Sequence, residues 1–147
     1  MDSIVNSMPK ITVLMPVYNC ELYIKEAVDS ILNQTYADFE FIIIDDASTD
    51  ETVSIIKSYI DVRIQLIEKT INSGHTNSLN YGISIAKGEY IARMDGDDIS
   101  LSERFEKQVA FLEANPELVL CGTLYQVIDT DKVCNHPLTH DEIKVKL

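Results

Sequence analysis

The stretch FEFIIIDDASTDETVSII, residues 39–56, changes its period in the middle. Its first seven residues form an almost unbroken apolar run ending at Asp45, short and rich enough in β-branched side chains to be a strand buried on both faces. After the turn, Val53, Ile56 and, just beyond the stretch, Ile60 recur at helical spacing, while Ser48 and Glu51 stand three apart as in a capping box. A buried strand running straight into a helix is half of a βα unit, the repeat from which parallel sheets are built.

The same alternation continues on both sides. ITVLMPV (11–17) predicts a strand, and Ile24, Ala27, Val28, Ile31 and Leu32 put a helix over about 21–34. VRIQLIE (62–68) reads as the third strand, and 75–86 as a helix with Leu79, Ile83 and Ala86 on its inner face, ended by Lys87-Gly88. EYIARM (89–94) is the fourth strand; Ser100 and Glu103 then make a second capping-box pattern before a helix over about 102–115. LVLCGTLYQVI (118–128) supplies one long strand or two short ones. Thr139 and Glu142 form a third capping-box pattern, and the amphipathic IKVKL after it stops at Leu147 with no Gly, Asn or Pro to end it. Residues 1–10 therefore read as a leader and 11–147 as one α/β domain that is incomplete at its C-terminus.

Composition narrows the function. With 147 residues, 46% of them apolar, the chain can bury one sizeable core. Its 24 acidic against 12 basic residues argue against non-specific attraction to nucleic acid or anionic lipid. Cys20, Cys121 and Cys134 are odd in number and contain no CxxC pair, which speaks against a disulfide framework and for a cytoplasmic setting. No apolar run reaches membrane-spanning length, and the N-terminus lacks the pattern of a signal peptide.

In open α/β sheets ligands bind beyond the carboxyl ends of the strands, and the unusual residues of this chain collect there. The first strand leads into Pro16-Val17-Tyr18-Asn19, the second into Asp45-Asp46, and the fourth into Asp95-Gly96-Asp97-Asp98. Two unit charges about 4 Å apart repel by about 4 kcal/mol at an effective dielectric of roughly 20, so the last cluster calls for a solvated turn or a bound cation. Singly, each feature has a plain structural reading: a wet Asp-rich turn, helix N-terminal acids, a half-buried tyrosine. Their shared position at strand ends favours a site. No G-x-G-x-x-G loop follows the first strand, and Tyr18 there could stack on a base. An EF-hand read from Asp95 fails at Ile99 and Ser100, and a D-x-D-x-T phosphatase fails at Ile99. A phosphoacceptor receiver domain would want its acid pair where Tyr18 and Asn19 stand. Cys134, His136 and His140 offer zinc only three ligands.

Three segments, ITVLMPVYNCELYIKEAVDSILNQTYADFEFIIIDDASTDET, NSGHTNSLNYGISIAKGEYIARMDGDDIS and ERFEKQVAFLEANPEL, closely resemble the nucleotide-binding half of family 2 glycosyltransferases, inverting enzymes of GT-A fold. The resemblance covers about 11–147 and implies a Rossmann-like, mainly parallel sheet. It also implies that Pro16, Tyr18 and Asn19 line the nucleotide wall, that Asp46, preceded by Asp45, reads the base edge, and that Gly74 and Asn80 pass near the nucleotide. Where many relatives carry Arg, this chain has Leu79, leaving Arg93 as a candidate substitute for a phosphate contact. Asp95-Gly96-Asp97 matches the D-x-D motif: Asp97 coordinates the metal, Asp95 reaches the ribose or a metal-bound water, and Asp98 supports them. Hard carboxylate oxygens suit Mn²⁺ or Mg²⁺, and Gly96 lets the backbone approach closely.

The implied reaction transfers a sugar from a nucleotide-diphosphate donor, with uridine favoured, to a glycan or lipid-linked acceptor in cell-surface polysaccharide synthesis at the inner face of the membrane. The general base is expected beyond residue 147, and the face left open should promote self-association. Two other classes compete. A nucleotide-sugar-binding module without transfer activity would carry the same motifs, whereas a metal-dependent nucleotidyltransferase would need a Gly-rich basic loop that PVYNCELY does not supply.

Overall fold

The computed structural model describes residues 8–134. Four strands, β1 (Ile11–Val17), β2 (Phe39–Asp45), β3 (Ile64–Glu68) and β4 (Tyr90–Arg93), form one wholly parallel sheet in the order β3-β2-β1-β4. Helices α1 (Ile24–Leu32), α2 (Thr52–Lys57) and α3 (His75–Ile85) make the crossovers, and α4 (Arg104–Ala114) follows β4. A short antiparallel pair, β5 (Tyr125–Gln126) and β6 (Val133–Cys134), comes last. The chain divides into two compact units between Lys107 and Gln108, inside α4; the parallel sheet belongs to the first and the β5–β6 pair to the second.

Burial explains why β1 and β2 are central. All seven residues of β1 are buried, as are six of the seven in β2, whereas the edge strands β3 and β4 alternate towards solvent. The α1 stripe of Ile24, Ala27, Val28 and Ile31 is buried, and Phe105 meets Phe39 edge-on at 5.8 Å. Leu14, Ile42 and Ile44 pack with Ile67, Leu79 and Ile85.

Several local expectations shift, each for a visible reason. The Ser48–Glu51 box does not cap α2: the Ser48 hydroxyl accepts from the Asn19 amide at 2.9 Å, and the Glu51 amide donates to Glu21. α2 ends at Lys57, and Ile60 lies past it, fully exposed. In α3 Leu79 packs on the core as expected, but the fully buried positions are Ser78 and Gly82, with Gly82 lying directly on the Leu14 side chain, and Ile83 is half exposed. Ser100 does not start α4, which begins at Arg104; its hydroxyl accepts from Gln34, whose amide group also bonds Ser30 and Leu101 and so fixes the chain after β4. Of residues 118–128 only Tyr125 and Gln126 are strand, since no other part of that run finds a partner strand among the described residues. Thr139, Glu142, His136 and His140 lie outside the described residues.

Gly88 is not the left-handed helix cap that its place after Lys87 suggests. α3 has already ended, with extended backbone at Ala86. Gly88 is required by close approach: a Cβ there would lie 2.3 Å from the Thr12 amide nitrogen. Its own amide donates to the buried Thr12 hydroxyl at 2.8 Å, and that hydroxyl donates to Glu40 at 2.6 Å. Glu40 in turn accepts from the Lys87 amide, so this turn is tied to both central strands.

A second tie closes the loop from β3 to α3. The Asp46 carboxylate, 4% exposed, accepts from the Ser73 amide and Lys69 on one oxygen and from the Gly74 amide on the other. Burial alone would push this carboxyl up; the amides and the ammonium outweigh it and hold it at about 2.

Two tests follow from these ties. Gly88→Ala should cost about 3 kcal/mol in urea unfolding, because rigid backbone must move. Gly82→Ala should cost less than Gly88→Ala, since it meets only the ends of Leu14 and Ile44 and gains helix propensity of about 1 kcal/mol. Asp46, depressed from an unfolded value of about 3.9, should contribute roughly 2 kcal/mol above pH 4, and this should be lost as pH falls from about 4 through about 2. Asp46→Asn should flatten that part of the stability profile.

Candidate functional site

Parallel pairing sends the carboxyl ends of β1, β2 and β4 to one edge. Val17 lies opposite Asp45 and Leu14 opposite Arg93, and the pairing extends past the strands through Asp46 N–H to Val17 O and Met94 N–H to Leu14 O. At this edge opens a cleft of about 580 Å³, lined by Pro16, Val17, Tyr18 and Cys20 from the first segment and Asp46 from the second. Asn72 and Gly74 come from the loop before α3 and His75 from its first residue, while Arg93 ends β4 and Asp95, Gly96 and Asp97 follow it.

The sequence-derived residues thus divide. Pro16, Tyr18, Asp46, Gly74, Arg93, Asp95, Gly96 and Asp97 meet around one space. Asn19 stands behind it, with a left-handed φ of 49° and its side-chain oxygen accepting from the Thr49 amide. Asp45 is 2% exposed, with one oxygen held by the Ser48 amide; it shapes the turn without lining the cleft. Asn80 is an exposed α3 residue away from the lining.

Inside the cleft Tyr18 presents a half-exposed ring, while Asp46 is almost wholly buried. The Arg93 guanidinium donates to both oxygens of Asp95 at 2.8 Å, and His75 Nε2 lies 3.5 Å from the same carboxylate. Asp97 is exposed, and Asp98 beside it is pushed up by partial burial and by the charges of Asp95 and Asp97. Gly96 is buried against Val17 and Cys20, where a Cβ would come within 2.9 Å of Val17. Burial also pushes the Cys20 thiol up, so it stays protonated and apolar at neutral pH.

Among the described residues no three His, Cys, Asp or Glu side chains gather into a self-sufficient metal site. The donor set fits a hard divalent ion only in part: Asp95 and Asp97 supply carboxylate oxygens, and further oxygens must come from water or from a bound anion. Sequence reading missed Val17, Cys20, Asn72 and His75. His75 could have been found, because it directly follows Gly74 at a helix start; Val17 and Cys20 carry no signal beyond their neighbours.

Comparison with known proteins shows the family. The family model described as "Glycosyl transferase family 2" matches residues 12–146. A Bacillus subtilis (strain 168) protein, "Putative glycosyltransferase EpsE", is 48% identical over 127 residues, which is 84% of this chain and 46% of that protein. The glycosyltransferase GlyG of Streptococcus pneumoniae serotype 4 is 35% identical, over 82% of this chain and 41% of its own. The chain spans about half or less of the length of the curated relatives it matches. Among solved structures, S. aureus TarS 1-349 in complex with UDP-GlcNAc superposes with a TM-score of 0.70 at 31% identity, over 73% of this chain and 32% of that one. The mannosyltransferase PcManGT of Pyrobaculum calidifontis, in complex with GDP-Man and Mn²⁺, gives 0.65 at 29%, over 76% and 34%. With a parallel sheet of this order, a cleft at its carboxyl edge and a family match across nearly all its length, the chain belongs to glycosyl transferase family 2.

Proposed function

We propose that this chain is the donor-binding portion of an inverting, metal-dependent glycosyltransferase that takes its sugar from a nucleotide-diphosphate donor, preferably a UDP-sugar. The observation that carries the reading is the meeting of Tyr18, Asp46 and the Asp95/Asp97 pair around one cleft. Tyr18 offers a stacking face for the base and Asp46 an acceptor for a ring N–H. Pro16, Gly74 and the neighbouring Asn72 wall the nucleotide. Asp97 is the exposed carboxylate that would hold Mn²⁺ or Mg²⁺ directly, with Asp95 towards the ribose or a metal-bound water. When bound, the cation acts as a Lewis acid on the diphosphate as the sugar departs.

The protein's own groups fit those tasks. A cleft carrying three aspartates opposes an anionic donor, and Arg93 and His75 at its rim provide positive and hydrogen-bonding partners for phosphate oxygens. The relatives' complexes with UDP-GlcNAc and with GDP-Man and Mn²⁺ support a nucleotide-sugar ligand. The acceptor in this reading is a glycan or lipid-linked glycan of cell-surface polysaccharide synthesis, and a cytoplasmic setting at the inner membrane face suits such donors. No helix among the described residues is long and apolar enough to cross a membrane.

Because the protein supplies too few ligands alone, metal and nucleotide should bind synergistically. Titration calorimetry with UDP should show affinity at least about tenfold higher with Mn²⁺ than without. Asp97→Asn should abolish that gain; affinity indifferent to both metal and substitution would remove the metal role. Tyr18→Ala should weaken UDP by about fivefold or more, the value of one base stack, and an unchanged dissociation constant would put the base elsewhere.

A further inference from the structure

The solved relatives bind a uridine donor in one case and a guanosine donor in the other, so family membership leaves the base open. The hydrogen bonding around Asp46 bears on that choice. A carboxylate has about four acceptor positions, two on each oxygen. On Asp46 Oδ1 these are filled by Lys69 Nζ at 3.0 Å and the Ser73 amide at 3.1 Å, with the Ser73 hydroxyl at 3.3 Å. On Oδ2 only the Gly74 amide donates, at 2.7 Å. One acceptor position remains.

We propose that Lys69 sets the base preference of the cleft: by occupying Oδ1 of Asp46 it leaves a single acceptor, on Oδ2, that accommodates uracil and disfavours guanine. This rests on the reading that Asp46 receives the base edge. Uracil presents one ring N–H between two carbonyls, so one acceptor satisfies it. Guanine presents two adjacent donors, N1–H and the N2 amino group, and would need both carboxylate oxygens. Its second donor would face an oxygen already filled and the ammonium behind it. Cytosine and adenine present a ring acceptor at the central position and are opposed by the carboxylate itself.

Lys69 is built for this task rather than for a surface contact. Its side chain is 21% exposed, and its three ammonium protons are matched by Asp46, Ser73 and, at 2.9 Å, Ser78. The backbone reinforces the position, since the Lys69 amide donates to Asp45 O at 2.9 Å, next to the residue it orients. It touches no base in this scheme; Lys69 is a positioning residue acting through Asp46.

The test is a competition series with UDP, GDP, CDP and ADP at fixed Mn²⁺, on the wild-type chain and on Lys69→Met, Lys69→Arg, Lys69→Met combined with Ser73→Ala, and Asp46→Ala, each checked for folding by circular dichroism. The combined variant leaves only the Ser73 amide on Oδ1 and should raise GDP affinity relative to UDP by about tenfold, one buried hydrogen bond's worth. Lys69→Met alone should shift the ratio in the same direction by less, while Lys69→Arg should keep the wild-type order. Asp46→Ala should narrow the preference for UDP, because the acceptor for the uracil ring N–H is gone. Should Lys69→Met not fold, Lys69→Gln removes the ammonium from the same oxygen and should shift the ratio in the same direction. An unchanged GDP-to-UDP ratio in the Lys69 variants, alongside a narrowed UDP preference in Asp46→Ala, would overturn the role of Lys69 and leave the base reading standing. Relative affinities untouched by Asp46→Ala would overturn both.

Discussion

Everything at the cleft depends on the register of β1 between its two parallel neighbours. Side chains along a strand alternate between faces, so a slip of one residue would turn every inward group outward. Thr12 fixes this register chemically as well as by packing, because its buried hydroxyl links Glu40 of β2 to the Gly88 amide ahead of β4. Five residues further along β1, Val17 stands beside Asp45. The contact that locks one end of the sheet therefore determines which residues emerge at the other end, where the cleft opens.

Beyond the strand ends the fold uses side chains to tie the loops around the cleft to one another. The loops after β1 and β2 bind each other through Asn19, Ser48, Asp50 and Glu21, each bonded to a backbone amide of the opposite loop or accepting from one. The Asp46 carboxylate extends the same logic to the β3–α3 loop. Backbone amides without secondary-structure partners find acceptors in this way, and a net acidic chain has acceptors to spare. Ala47 takes a left-handed φ of 67° in the middle of this network, a conformation that costs a non-glycine residue roughly 1–2 kcal/mol. The surrounding bonds offset it.

The parallel sheet was legible because period and composition agree wherever burial is complete. Seven-residue apolar runs at 11–17 and 39–45 leave few alternatives to central strands. The D-x-D cluster and Tyr18 were legible because charge and aromatic surface at strand ends need a reason. What sequence reading misassigned were polar side chains with two credible partners. Ser48 and Ser100 fit a helix cap by spacing, yet both spend their hydroxyls on other segments, and spacing carries no information about which partner lies nearer in space. Asp45 and Asp46 are adjacent and chemically identical; only the sheet's pleat makes one structural and the other a cleft residue. Lys69 gave no signal, because a charged residue after an edge strand looks solvated until the loop folds over it.

The pairing of Arg93 with Asp95 has a consequence for how the protein exists between encounters with its ligand. The arginine is an internal counter-ion, so the acidic turn is partly neutralised by the protein itself. The pair is also well exposed, and exposed ion pairs are worth only about 0–1 kcal/mol. In the proposed reading a cation arriving there would exchange for a weakly held charge instead of entering an unscreened acidic hole, and the displaced guanidinium would be released next to the space an anion would fill. On that same reading, occupancy by metal would be an event of ligand binding, reversible at each encounter.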